Sequence, residues 1–267
     1  MSRLVLLGFP EQETIGLYCG AGGKSGAGFQ GFDEIPLDSV VLLRWGDGIS
    51  GCFLHVDGPV VCLKWTGQGF DSHTISSPPS LSLVHAQLGH FGQFSLGHLQ
   101  EFGVPLGRTF TPHQDGFSAK FSPQLLGSTW PALFHLSFAC FQCFASTNAF
   151  ETWSAMIKAW EFAPRLTPQV VLLLGLHIAA LHEEDMIGEM PRLELVANRV
   201  LKVAEDEGYD EDEVCLVLRQ SIAAAWGGCW ENDEDDAQPT IVNTTIIATT
   251  TTLPTTNNSN NRMEWML

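Results

Sequence analysis

Residues 134–162, FHLSFACFQCFASTNAFETWSAMIKAWEF, decide how this chain is read. An apolar, Phe-rich segment runs to Ala145, the polar trio Ser146-Thr147-Asn148 interrupts it, and aromatic residues then return at regular intervals. The spacing predicts two helices joined at that trio. Asn148 followed three residues later by Glu151 has the capping-box pattern, in which Asn accepts from the backbone at the third helical position and the acid reaches back to the cap's own N–H. Phe150, Trp153, Ile157 and Trp160 fall on one stripe of the second helix. A stripe of that kind predicts a core-facing helix pair.

Downstream the pattern stays helical over residues 128–229. Thr167-Pro168 opens a helix to about His182, because proline at the first helical position lacks only an N–H that would have no partner there. Pro191 opens another that ends near Gly208, and Asp210 with Glu213 repeats the capping-box pattern ahead of a helix to about Trp226. Together these predict a compact all-α domain.

Upstream, residues 1–75 read as β-rich. Short apolar runs at 40–45, 52–56 and 60–65 are separated by Gly46-Asp-Gly-Ile-Ser-Gly51 and by Asp57-Gly58. Asp-Gly between such runs predicts a hairpin, and Pro59 places it at an edge or in a slightly longer loop. Residues 20–31 form a glycine-rich loop. Residues 76–127 read as a linker: Ser76-Ser-Pro-Pro-Ser80 opens it, one or two short helices fall within 81–99, and the rest is largely irregular. The fold class is therefore α+β, an N-terminal β-rich domain followed by an all-α domain. Residues 230–267 come last, as an acidic, then Thr/Asn-rich tail whose composition predicts flexibility. Within that tail Thr240, Ile241, Val242, Ile246 and Ile247 lie in an uncharged, β-prone stretch. It reads either as a strand for a partner's sheet edge or as a solvated low-complexity segment.

Composition narrows the function classes. The 267 residues carry a formal net charge of −17, and 12 of the 30 acidic side chains lie in two runs, 205–213 and 231–236. Such a chain repels phosphate, which argues against direct binding of nucleic acid and points to a basic protein surface as partner. Seven cysteines (Cys19, Cys52, Cys62, Cys140, Cys143, Cys215 and Cys229) sit mostly among apolar neighbours, as reduced core thiols do. The apolar run at 4–7 stops at Gly8-Phe9-Pro10, too short for a signal peptide, and the run at 170–181 is too short to span a bilayer. These features predict a protein of the nucleus or cytoplasm that binds no membrane, and make the acceptor patterns at Asn243 and Asn257 uninformative.

No catalytic pattern emerges. Gly22-Gly23-Lys24-Ser25 lacks the earlier glycine of a phosphate-binding loop, since position 18 is Tyr, and no helix follows it. Gly26-Ala-Gly28-Phe-Gln-Gly31 has dinucleotide-loop spacing, but an extended segment follows where a helix is required. Cys140 and Cys143 have CxxC spacing without a second ligand pair, in an apolar helix. His182-Glu183-Glu184-Asp185-Met186 has Met where a zinc-protease helix needs its second His. His85, His90, His98 and His113 are scattered, as structural histidines are. A hydrolase or transferase using His55 or Cys62 would need partner residues that no recognisable interval supplies. The reading is a protein that is no enzyme, with no cofactor, metal site or small-molecule substrate.

Leu136, Phe138, Ala139 and Phe141, followed by Phe150-Glu151-Thr152-Trp153 and Met156-Ile157, resemble the helical domain of the A1-cistron splicing factor family, an assembly factor of the U5 small nuclear ribonucleoprotein. There too a Phe-rich helix, a short turn and a helix with a Phe-Glu-x-Trp signature succeed one another. Residues 173–191, ending Gly-Glu-Met-Pro, resemble the family's next helix and corner. The N-terminal half is similar in order and spacing: Pro10 then Ile15-Gly16-Leu17, Phe29-x-Gly31-x-x-x-Ile35-Pro36, and the glycine-led runs from Gly51 and from Gly58 to Trp65. The resemblance covers residues 1–70 and 130–195, and more loosely to 226. It marks Gly16, Gly31, Pro36, Trp65, Phe150, Glu151 and Trp153 as signature residues of the cores. Tyr18 stands where the family has Asp, and the segment joining the halves is shorter than is usual in the family.

The resemblance implies a non-enzymatic assembly chaperone in pre-mRNA splicing that binds the C-terminal RNase H-like and Jab1/MPN-like domains of the large U5 scaffold protein. A competing reading is a helical-repeat interaction module, with residues 131–163 and 167–207 as two helical hairpins beside an unrelated β domain.

Overall fold

The computed structural model describes residues 1–24, 29–46, 50–74, 82–111, 117, 129–162, 167–181, 190–206, 208 and 213–226. The chain is α+β, with strands in its N-terminal part and helices after them. It forms two compact units, Met1–Met156 and Ile157–Leu267. The boundary therefore falls inside a helix, and not at the linker expected over 76–127. The tail residues Thr240, Ile241, Val242, Ile246 and Ile247, the predicted cap Asp210, and His113 lie outside the described residues, as do both predicted linker ends.

The first unit is built on one strand. Strands β1 (Ser2–Leu7), β2 (Thr14–Leu17), β3 (Gly22–Lys24), β4 (Gly31–Ile35), β5 (Ser39–Trp45), β6 (Ser50–Val56), β7 (Val60–Trp65), β8 (Phe70–Ser72), β9 (Val84–His85) and β10 (Gln93–Phe94) make two sheets. The first has the order β8-β7-β1-β4-β9. In the second, β5 is central. Its whole length pairs with β6 along one edge, while β2 and β10 share the other, β2 against residues 43–45 and β10 against Val40 and Val41. β3 adds beyond β2 inside the stretch read as a glycine-rich loop.

Side chains alternate across a strand, so β5 supplies two cores. Val41, Leu43 and Trp45 join Leu4, Leu6, Phe32, Ile35 and Leu63 of the first sheet in the core between the sheets. The opposite face of the second sheet is covered by helix α2 (Trp130–Phe144). There Phe53 meets Phe94 and Phe110 edge-on, with centroids 5.2 and 5.9 Å apart, and Phe110 stacks on Phe144 of α2 at 4.9 Å. His135 of α2 stacks on Phe94, and its Nε2–H donates to the Phe91 carbonyl at 2.9 Å. Gly51 lets the helix approach: a Cβ there would lie 3.0 Å from the Phe144 ring and collide with the Leu43 carbonyl. Tyr18, where the resemblance expects Asp, is buried against Phe94 and His135 in this layer. Val40, Val41, Leu42 and Leu43 are all fully buried, each worth roughly 1.5–3 kcal/mol of transfer free energy.

Three local expectations change. Asp57-Gly58 does not close a hairpin between β6 and β7, because the chain crosses there from one sheet to the other. β7 pairs in parallel with β1, from Arg3↔Val60 to Leu7↔Lys64, and Arg3 N–H donates to the Pro59 carbonyl at 3.1 Å. The hairpin is the preceding one, β5–β6. The stretch at 81–99 contributes β9 and β10 to the two sheets besides two short helical segments, a 3-10 turn at His90–Gly92 and the start of α1 (Leu96–Glu101). Finally, helix α3 (Thr147–Phe162) starts earlier than the Asn148 cap predicts. Ser146 is the cap, its Oγ accepting from Ala149 N–H at 3.2 Å. Glu151 then lies beyond the capping position and is exposed. The aromatic stripe stands as expected, with Trp153, Ile157 and Trp160 buried and Phe150 half-buried. Trp153 packs on Phe138 and Phe141 of α2.

In the second unit, helices α4 (Pro168–Ala180), α5 (Met190–Asp206) and α6 (Glu213–Trp226) match the predicted spans. Thr167 Oγ1 caps α4 by accepting from Val170 N–H. α4 packs chiefly on α6, with Gly175 against the Leu218 backbone, and only lightly on α5.

The β1–β4 pairing generates a stability test. Gly31 has φ +144°, and a Cβ on it would run into the Leu4 carbonyl. Gly8 also has positive φ, +69°, but nothing lies near its missing Cβ. Gly31→Ala is expected to lose at least about 3 kcal/mol by urea denaturation, against about 1 kcal/mol for Gly8→Ala. Equal losses would show that the close approach at Gly31 is not real.

Candidate functional site

A concave feature of the described residues lies at one end of the first unit. It is a cleft of about 880 Å³ between several short segments. The β7–β8 turn forms one wall. It is a tight turn, with Thr66 N–H and Thr66 Oγ1 both donating to the Gly69 carbonyl at 2.9 and 3.0 Å. A loop at 107–111 forms the facing wall and is tied to β6 by Gly107 N–H to the Phe53 carbonyl and by two bonds between Phe110 and Gly51. Thr109 sits directly over Gly69, leaving no room there for a Cβ. Phe9 and Pro10, just after β1, and Trp45 at the end of β5 complete the lining.

Four aromatic rings form the floor. Trp65 meets Phe9 and Phe70 edge-on at 5.0 Å each, and Trp45 lies 5.7 Å from Trp65 and 5.3 Å from Phe70. Trp45 and Phe70 are buried, whereas Phe9 and Trp65 are half-buried and line the cleft. The rim is polar and exposed, with Glu13 and Asp71 as acids and Arg108 as the cation.

A second concavity of about 500 Å³ shares Trp45 as a wall and is lined by Gly16, Gly22, Gly23, Lys24 and Arg44. Arg44 projects from the helix-covered face of β5, where its positive charge partly offsets the upward shift that burial imposes on the Cys143 thiol. The neighbouring Tyr18 hydroxyl is held well above its ordinary pKa, first by burial and then by the adjacent Cys19 and Cys143.

None of these groups forms an activated nucleophile. Burial pushes the Cys52 and Cys143 thiols up to about 12 and raises Cys140 and Cys62 as well. Thiolate chemistry needs the opposite shift. Cys140 and Cys143 are buried side by side in α2, as core packing requires. His55 pairs with exposed Asp38 at 3.1 Å on a strand of the second sheet, while Cys62 lies on the first. His85 pairs with Asp33 and Glu34 at the surface, and His98 of α1 stacks on Phe102 just past the helix end. Among the described residues no group of three or more His, Cys, Asp or Glu side chains could hold a metal ion, and no helix is long and apolar enough to cross a membrane.

The signature residues do not converge on one site. Trp65 lines the aromatic cleft and Gly16 the concavity beside it, where its missing Cβ would lie 3.3 Å from Gly22 Cα. Gly31 holds the β1–β4 approach, and Pro36 is half-buried with its carbonyl accepting from Ser39 Oγ at 2.7 Å. Phe150 and Trp153 pack on α2. Phe9, Trp45, Phe70, Glu13, Asp71 and Arg108 were not legible as site residues. The one signal was that Trp45 and Trp65 each end a strand just before a glycine-bearing turn.

The thiol environments make a labelling prediction. A thiol whose pKa is raised to about 12 stays protonated at pH 8 and is a poor nucleophile. Cys19 is the exposed cysteine among those described, although burial lifts its thiol too. Iodoacetamide at pH 8 is expected to modify Cys19 ahead of Cys52, Cys140 and Cys143, which react only after denaturation. Mass spectrometry showing Cys140 or Cys143 modified first in the native protein would contradict the packing of α2.

Comparison with known proteins finds no matching family model and no matching curated sequence.

Proposed function

We propose that this protein is a non-enzymatic assembly factor that acts by binding another protein, and specifically a chaperone of the U5 small nuclear ribonucleoprotein in pre-mRNA splicing. The partner is the C-terminal region of the large U5 scaffold protein, with its RNase H-like and Jab1/MPN-like domains. The reading places the protein in the nucleus and cytoplasm, where such assembly occurs.

One observation carries it: the ordered resemblance across both halves of the chain, from Pro10 and Gly16 through Gly31, Pro36 and Trp65 to Phe150-Glu151-Thr152-Trp153. Two further observations agree with it. The signature residues occupy architectural positions, which is what a marker of fold should do: Gly31 at a backbone approach, Trp153 in the α2–α3 contact, Trp65 in the aromatic floor. The net charge of −17 suits a partner whose surface handles nucleic acid, since complementary charge speeds encounter. The uncharged stretch at Thr240, Ile241, Val242, Ile246 and Ile247 would contribute by adding a strand to the partner.

Binding to the isolated C-terminal region of the scaffold tests the reading. The full chain should retain that region in a pull-down at low and physiological salt. Deleting residues 237–267 should weaken retention by about tenfold or more, as loss of an added strand implies. Failure to bind even at low salt would overturn the proposal.

A further inference from the structure

We infer that the aromatic cleft of the first unit is a binding site for an arginine side chain presented by an extended peptide segment. The inference rests on the cleft alone and stands or falls independently of the assembly-factor reading.

The cleft offers the two things a guanidinium group needs. Phe9 and Trp65 stand nearly perpendicular, at 84° with centroids 5.0 Å apart, so together they form a corner of two half-buried rings on the cleft lining. A planar cation can lie on one face of such a corner with its edge against the other. Behind them Trp45 and Phe70 are buried and fix the corner's angle through further edge-on contacts. The rim then supplies charge. Glu13 and Asp71 are exposed carboxylates on the lining, against Arg108 as its single cation. A guanidinium on the rings can donate to a carboxylate of the rim without either group being taken fully out of water, so the pair avoids the desolvation that penalises buried ions. The volume, about 880 Å³, is larger than one side chain requires, which leaves room for the flanking backbone of an extended segment.

The charge pattern also selects the occupant. An apolar side chain would use the rings but leave Glu13 and Asp71 without a role. An anionic ligand would meet two carboxylates. Lysine would satisfy the rim, but its compact, strongly hydrated ammonium gains less from stacking than a planar guanidinium does. The order of preference expected is arginine, then lysine, then the uncharged citrulline.

The test uses the full chain and the capped peptide acetyl-Gly-Arg-Gly-Gly-Arg-Gly-amide, followed by the indole N–H signals in NMR and by calorimetric titration. The peptide should shift the Trp65 indole signal, identified through Trp65→Phe, and leave that of Trp153 in place. Replacing both arginines by citrulline should weaken binding by about fivefold or more, the loss expected from removing cation–π and rim charge together. The double variant Glu13→Gln/Asp71→Asn should weaken arginine binding to a similar extent with unchanged melting, because both side chains are exposed. Glu205→Gln/Asp206→Asn removes the same charge from exposed positions on α5 and should leave the affinity unaltered. Equal weakening by the two double variants would show general attraction to an acidic chain and overturn the site. So would equal binding of the citrulline peptide, or a Trp65 shift produced by an uncharged proline-rich peptide and not by the arginine peptide.

Discussion

The structure of the first unit depends on the burial of β5 on both faces. Most strands of a small antiparallel sheet have one wet side and alternate accordingly. Here Val40, Val41, Leu42 and Leu43 are all removed from water, so each face of the strand must find its own cover. The first sheet covers one face and α2 the other. The Phe-rich character of α2 results from that requirement. Phe144 reaches Phe110, His135 lies flat on Phe94, and Gly51 keeps its surface bare so that the helix can come close. The helix that first reads as part of a separate α domain is the third layer of the β unit.

The same constraint explains where the aromatic cleft forms. A strand committed to packing along its length is free only at its ends. At the end of β5, Trp45 is still in the core, while its neighbours Trp65 and Phe9 extend the aromatic cluster toward solvent. The cleft is thus the edge of the inter-sheet core left uncovered. Its floor is rigid because it is core, and its rim is polar because it is made of turns.

Much of this was legible in the sequence, and the misses have physical reasons. The strands at 39–45, 50–56 and 60–65 and the helices from Pro168 onward were readable, because each is long enough for its pattern to dominate. The hairpin at Asp57-Gly58 was misplaced because turn chemistry is local. It specifies a reversal, and cannot say whether the next strand pairs with the last one or crosses to another sheet. Strands β9 and β10 escaped notice because two residues carry no periodicity, and they are strands only by virtue of Asp33 and Val41 beside them. The cap moved from Asn148 to Ser146 because Ser, Thr and Asn can all serve, and tertiary burial of Ser146 decided among them. The cleft was illegible for a stronger reason. Its residues come from scattered stretches of chain between Phe9 and Thr111, and no spacing rule joins them.

The two aromatic clusters illustrate how one residue type serves different ends. Trp153 is nearly inaccessible and contacts Phe138, Phe141 and Phe150. Its large apolar area stabilises the α2–α3 contact, and every face is in use. Trp65 makes an equally dense set of ring contacts, with Phe9, Trp45 and Phe70, yet is only half-buried. The difference lies in the path of the chain just beyond each ring. After Trp153 the helix continues and α2 lies across it; after Trp65 the chain turns at Thr66 and Gly69, and the ring lines the cleft. A sequence motif containing tryptophan is therefore a marker of fold at one position and of a surface at the other. Exposure beside charged side chains, and not aromatic content, distinguishes the two.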